Sequence, residues 1–211
     1  MKIALIGLTG PTGAGKSTVA ALLRDKGFYI IDGDLLAREV VLPGSPVLAQ
    51  LVAHFGSDIL DEHGALKRKT LASKAFVDSE NTARLNAITH PAITRRMVHL
   101  AARAWDNGYK AAVIDAAALI ESGLTKRCDL VAVVVAPPDV RLQRVLKRDS
   151  MTPDEAAHRL NAQQPESWYR DNADVVIEAY EPFDIVEQTD RLTEQIQEIV
   201  KNKQQGENSH E

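Results

Sequence analysis

What the chain lacks narrows its class. Cys128 is the only cysteine among 211 residues, so no disulfide can form within the chain. A protein of a reducing compartment, the cytoplasm, is expected. Positive charge is not in excess. A formal net charge of −4 gives no global attraction to nucleic acid, so any phosphate has to be held by a few placed residues. No apolar run reaches membrane-spanning length. The expected partners are therefore small molecules, with neither nucleic acid nor membrane among them. The apolar run after Met1-Lys2 breaks at Gly7 before a signal-peptide core is complete, and no cleavage site follows, so it reads as a strand. Internal repeats are absent. So is an Asn-Lys-x-Asp guanine signature, residues 202–205 reading Asn-Lys-Gln-Gln, which counts against a GTP-dependent switch. With 45% hydrophobic residues the composition is that of a globular α/β core with an appended or inserted subdomain.

Short runs of branched aliphatics recur at Ile3–Leu8, Phe28–Ile31, Ala111–Ile114, Leu130–Ala136 and Val175–Ile177. Brief apolar runs separated by longer helical patterns predict a five-stranded parallel sheet with helices on both faces. Residues 35–108 hold no good strand. There Val47, Leu48, Leu51, Val52 and Phe55 share one helical face, and Ile93, Met97, Leu100, Ala101, Ala104 and Trp105 another. An all-helical insertion is expected over 35–108, between core segments 1–34 and 109–200. Pro137-Pro138 ends the fourth strand, and residues 138–165 read as a helical lid. Within it Thr152-Pro153-Asp154-Glu155 is a capping-box signature. Residues 201–211 are polar and expected to be disordered.

Gly10-Pro11-Thr12-Gly13-Ala14-Gly15-Lys16-Ser17 fits G-x-x-x-x-G-K-[ST] between an apolar strand and an amphipathic helix. Backbone N–H groups can wrap a phosphate only where the chain turns through conformations that disfavour a Cβ, hence the glycines. In this motif Lys16 reaches the β- and γ-phosphates, and Ser17 binds Mg²⁺. The following helix points its positive end at the anion. The pattern predicts a three-layer P-loop NTPase fold that binds Mg-ATP through Gly10, Gly13, Ala14, Gly15, Lys16, Ser17 and Thr18. Thr18 either contacts the α-phosphate or lies on the helix surface.

Asp32 and Asp34 lie just past the second strand. Ligands of open α/β sheets bind beyond the carboxyl ends of strands, so a carboxylate there can take the proton of an attacking hydroxyl. Alternatively Asp34 caps a helix starting at Leu35. Arg141, Arg144 and Arg148 recur at helical spacing. They form either a lid that brings positive charge to the transferred phosphoryl group or a solvated basic face paired with Asp139 and Asp149.

The chain resembles the dephospho-CoA kinase family over nearly its whole length. The matching stretches are Leu8-Thr9-Gly10 with the phosphate loop, Ile31-Asp32-Gly33-Asp34 with Ala37-Arg38, Pro43-Gly44, His54-Phe55-Gly56, and Gly64-Ala65-Leu66 with Arg68. They continue with Leu85-Asn86, His90-Pro91, Arg144 with Lys147-Arg148-Asp149, Ala162-Gln163 and Ala173-Asp174. The resemblance implies transfer of the ATP γ-phosphate to the ribose 3′-hydroxyl of dephospho-CoA, the last step of coenzyme A synthesis. It implies Asp34 as base, Arg144 and Arg148 over the phosphates, and the helical insertion as the acceptor-binding part, with Asp32, Arg68, Lys74 and His90 as candidates. His90 before Pro91 also reads as a structural helix-start residue. Asp115 is a candidate supporter of Mg²⁺ alongside Ser17.

The sequence departs from the family pattern at Ala117-Ala118, which implies a smaller acceptor wall, at Pro11 inside the loop, and at Glu178-Ala179-Tyr180-Glu181, near the expected adenine pocket. Kinases of shikimate, gluconate or nucleosides share the loop and lid and are the nearest alternative. A non-catalytic nucleotide-binding switch or scaffold is the more distant one.

Overall fold

Every residue of Ala4–Thr9 (β1) and of Leu130–Val135 (β4) is buried, as strands with neighbours on both edges and helices on both faces must be. In the computed structural model, which describes residues 3–149 and 151–208, these strands lie beside Tyr29–Asp32 (β2), Ala111–Asp115 (β3) and Val175–Glu178 (β5). The five form one parallel sheet in the order β2-β3-β1-β4-β5. The edge strands β2 and β5 bury only Ile31 and Ile177 fully, since each has a neighbour on one side alone.

The chain divides into two compact units, one comprising residues up to Asp32 with those from Ala101 onward, the other Gly33–Leu100. In the first, side chains two apart on β1 share a face. Ala4, Ile6 and Leu8 accordingly pack with Val113, Ala132, Val134 and Ile177 against Val19, Ala20 and Leu23 of α1 (Lys16–Asp25) and Leu192 and Ile196 of the closing helix. Each aliphatic side chain buried there contributes roughly 1.5–3 kcal/mol before the entropy of ordering it is set against it.

The second unit is helical. It holds α2 (Gly33–Glu39), α3 (Pro46–Phe55), α4 (Arg68–Ala75) and most of α5 (Ser79–Asp106). Ser45 caps α3 by accepting the Leu48 N–H at 3.1 Å, with Pro46 at the first helical position where its missing N–H costs nothing. Val47, Leu51 and Phe55 then pack with Val41, Ile59, Leu71 and Ala75. Among the described residues of this unit the only β pairing is an isolated bridge between Leu60 and Leu66.

Helices α6 (Pro138–Arg148), α7 (Pro153–Asn161) and α8 (Glu166–Asp171) precede β5, and α9 (Ile185–Asn208) closes the chain. Both bonds of the capping box at Thr152 and Glu155 are formed. No described helix is long and apolar enough to cross a membrane.

Three expectations need correction. Residues 201–208 are not disordered but continue α9, which is tied down where Lys203 pairs with Asp129 at 2.8 Å; residues 209–211 lie outside the described residues. His90-Pro91 does not open a helix. Instead α5 runs through Pro91, and Leu85, Ile88 and Ala92, on either side of it, pack against the same apolar cluster. That shared burial holds the helix together across the missing N–H. Finally, α2 begins at Gly33, so Asp34 lies inside its first turn and is not the residue before it.

Candidate active site at the phosphate loop

β1 ends at Thr9, whose fully buried hydroxyl donates to Ala117 O at 3.1 Å, and the chain turns through Gly10–Gly15 into α1. Gly10, Gly13 and Gly15 have φ of 148°, 80° and 109°. Two of them are also sterically obligatory. A Cβ on Gly10 would stand 2.2 Å from the Val134 carbonyl oxygen, and one on Gly13 2.6 Å from that of Arg141. The loop is thus pressed against β4 on one side and against the first turns of α6 on the other. Ala14 N–H closes a turn on Pro11 O at 3.1 Å. Pro11, without an N–H, therefore serves as an acceptor and is accommodated. Gly15 precedes α1 without a side-chain cap, so the first amides of α1 are left for an external acceptor. Ser17 and Thr18 are exposed in that first turn, and Thr18 N–H bonds Gly15 O at 3.0 Å.

Lys16 Nζ forms a tight ion pair with Asp115 Oδ1, both side chains about one-fifth exposed (19% and 18%). Asp115 ends β3, in register with Leu8 of β1 on one side and Asp32 of β2 on the other. Asp115 and exposed Asp32 are thereby brought to the carboxyl edge of the sheet, beside the phosphate loop. Asp34, also exposed, follows two residues later in α2.

The three arginines of α6 separate in the structure. Arg144 donates to Gly13 O (3.2 Å), Ala14 O (3.0 Å) and Ala179 O (2.5 Å), so it binds the loop's main chain and the residue after β5. Arg148 is exposed and paired with Asp149 through bonds of 2.8 and 2.9 Å. Arg141, only 6% exposed, reaches Thr12 O at 2.9 Å and Gln163 Oε1 at 2.8 Å. Periodicity placed Arg141 on a basic face and could not reveal that contact. Gln163, matched only as part of a short family stretch, had no assigned task. At the C-terminal end of β5, Gln188 brackets Glu178 through its N–H and C=O, both at 2.9 Å. Tyr180 and Phe183 stack edge to face at 5.1 Å.

The acceptor candidates of the helical unit have separate surroundings. Arg68 opens α4 and is exposed. Lys74 donates to Phe55 O and to Asp58, both at 2.6 Å, tying the end of α3 to α4. His90 lies half-buried in mid-α5, where burial holds its imidazolium form below the ordinary pKa.

Among the described residues no three His, Cys, Asp or Glu side chains converge on a metal site. An ion beside Ser17 and Asp115 would have to complete its shell from phosphate and water oxygens. That is the habit of Mg²⁺, which keeps waters and takes one or two protein oxygens, so the residues present fit it.

Residues 4–182 match the family model described as dephospho-CoA kinase. A dephospho-CoA kinase of Corynebacterium efficiens is 46% identical over 192 residues, covering 90% of this chain and 96% of the relative. Among solved structures, a Thermus thermophilus protein superposes with a TM-score of 0.77 at 29% identity, covering 92% of this chain and 97% of the other. Shikimate kinase from Bacteroides thetaiotaomicron shares the fold, with a TM-score of 0.51 at 19% identity over 92% and 98% of the two chains. A glycine-lined phosphate loop on an all-parallel sheet, and relatives aligned across nearly the whole length, make one assignment: the chain belongs to the dephospho-CoA kinase family.

Proposed function

We infer that this chain transfers the γ-phosphoryl group of ATP to the ribose 3′-hydroxyl of dephospho-CoA, releasing coenzyme A and ADP in the last step of coenzyme A synthesis. The observation that carries this reading is Lys16, held by Asp115 at the mouth of a loop whose glycines let it turn with positive φ against β4 and α6. Nucleotide exchanges the carboxylate partner of Lys16 for β- and γ-phosphate oxygens. Amides of the loop and of the first turn of α1 bind the same anion.

In the transfer, the 3′-oxygen forms a bond to the γ-phosphorus as the bond to the β–γ bridging oxygen breaks, and ADP leaves with that electron pair. Asp34, just beyond the sheet edge marked by Asp32 and Asp115, takes the hydroxyl proton. Ser17 and Asp115 would hold Mg²⁺, which supplies positive charge to the β- and γ-oxygens when bound. Arg144 spends three of its five N–H donors on main-chain carbonyls, which favours a role in shaping the loop. Arg148, on the exposed side of α6, is a cation available to phosphate by exchange with Asp149.

The helical unit is the acceptor-binding part in this reading, with Asp32 just before it in the chain and Arg68 as an exposed cation for the diphosphate. Lys74 and His90 shape it from within. The lone half-buried Cys128 and the net charge of −4 support a cytoplasmic enzyme without nucleic-acid partners. The decisive experiment measures ADP release with ATP and a panel of dephospho-CoA, pantothenate, shikimate, gluconate and nucleosides. Turnover with dephospho-CoA alone is expected, and turnover confined to another acceptor would overturn the assignment.

A further inference from the structure

The outer wall of the phosphate loop carries a closed triangle of hydrogen bonds. Thr12 N–H donates to Gln163 Oε1 at 2.9 Å, Arg141 Nε donates to Thr12 O at 2.9 Å, and Arg141 Nη2 donates to the same Gln163 oxygen at 2.8 Å. Both main-chain polar groups of Thr12 are thus gripped by side chains 129 and 151 residues away in the chain. Burying a guanidinium is costly, and here burial lowers the pKa of Arg141. A buried cation that spends its donors on one loop carbonyl and one amide oxygen is specifically placed.

Orientation is the consequence. Arg141 takes Thr12 O, and Arg144 takes Gly13 O and Ala14 O, so three successive carbonyls are turned toward the arginines of α6. In a trans peptide the N–H points opposite to the C=O. The N–H groups of Gly13, Ala14 and Gly15 are therefore turned away from those arginines. That of Ala14 is bonded to Pro11 O, which leaves those of Gly13 and Gly15 directed to the other side of the loop, where an anion would lie. Left-handed glycines have the widest choice of backbone states. Without outside partners, this stretch would lose its alignment more readily than any other part of the site.

We propose that Arg141 and Gln163 are positioning residues for ATP, acting as one unit that pre-sets the amide of Gly13 through the Thr12 carbonyl without touching the nucleotide. This rests on the assignment of Gly10–Thr18 as the ATP phosphate site. Preorganised donors bind an anion without the reorganisation a slack loop would need, so loss of the unit weakens ATP selectively.

The test uses the full-length chain with Gln163→Leu, Arg141→Met and the double variant, titrated with ATP in the absence of acceptor and then assayed kinetically. Gln163 is half-buried at the end of the α7 segment, so Gln163→Leu is expected to fold and decides the matter should Arg141→Met not. Gln163→Leu should raise the ATP dissociation constant and the KM for ATP on the order of 10-fold while the acceptor KM stays within about twofold. The double variant should cost little more than the costlier single one, as expected of residues in one network. Parental ATP affinity in Gln163→Leu, or an equal rise in both KM values, overturns the proposal. So does full additivity of the two substitutions. Failure of the parent chain to bind ATP at all would sink the phosphate-site assignment instead.

Discussion

Lys16 and Asp115 are ion-paired across two adjacent parallel strands, the lysine at the start of α1 and the aspartate at the end of β3. The ammonium is thereby parked at the mouth of the loop with its charge answered. In the proposed function, nucleotide binding would exchange one anion for another on a cation already in place. Lys16→Ala should lower kcat on the order of 10²- to 10³-fold, the usual cost of removing one preorganised donor to developing charge. Steady-state ADP release checks it, and turnover within about threefold of the parent would detach Lys16 from the chemistry.

Asp34 is an exposed residue in the first turn of α2, where an acid also favours the helix dipole. Substitution separates the two tasks. Asp34→Asn should reduce kcat by about 10²-fold or more while leaving the ATP dissociation constant unchanged. A variant that turns over normally and only melts earlier would leave Asp34 as a helix-dipole residue.

Lys74 tests the division between holding the helical unit together and binding the acceptor. Its ammonium bonds Phe55 O and Asp58, and the Asp58 carboxyl is held below its usual range mainly by that contact. Lys74→Met should lower the melting temperature with the acceptor KM unchanged. A several-fold rise in acceptor KM at unchanged stability would make Lys74 a substrate contact.

Burial and the nearby Asp129 and Asp174 push the Cys128 thiol up to about 12. A raised pKa means that the folded chain keeps its proton while the unfolded chain ionises above about 8.5. Between those values the unfolded state binds fewer protons, so stability falls as pH rises. Relative to Cys128→Ala, the parent should lose more melting temperature between pH 8 and pH 10.5. The native thiol should resist iodoacetamide at pH 8 and react on unfolding. Rapid native alkylation would contradict it.

The five strands were legible because each is a short aliphatic run buried on both faces or at an edge, and the observed bounds differ from the expected ones by a residue or two. The phosphate loop was legible because its glycines answer a local demand, the positive φ at Gly10, Gly13 and Gly15. The capping box of Thr152 was equally local. What could not be read depends on distant partners. Arg141, Arg144 and Arg148 share helical spacing, yet one holds Thr12, one holds Gly13, Ala14 and Ala179, and one pairs with its neighbour Asp149. The polar stretch after Lys201 looked unstructured because nothing local reveals the pairing of Lys203 with Asp129. Pro91 looked like a helix boundary because its flanking packing is tertiary.

β1, the earliest of the five strands in chain order, becomes the middle of the sheet. Its two partners arrive late, Ala4 aligning with Ala111 and Ile6 with Leu130. Until Ala111–Asp115 is made, β1 is an apolar ribbon with neither edge occupied, the kind of segment that chaperones shelter or that self-associates. Nascent chains halted after Asn107 should therefore pellet on release, whereas chains reaching past Ala136, with both neighbours of β1 in hand, should stay in the supernatant.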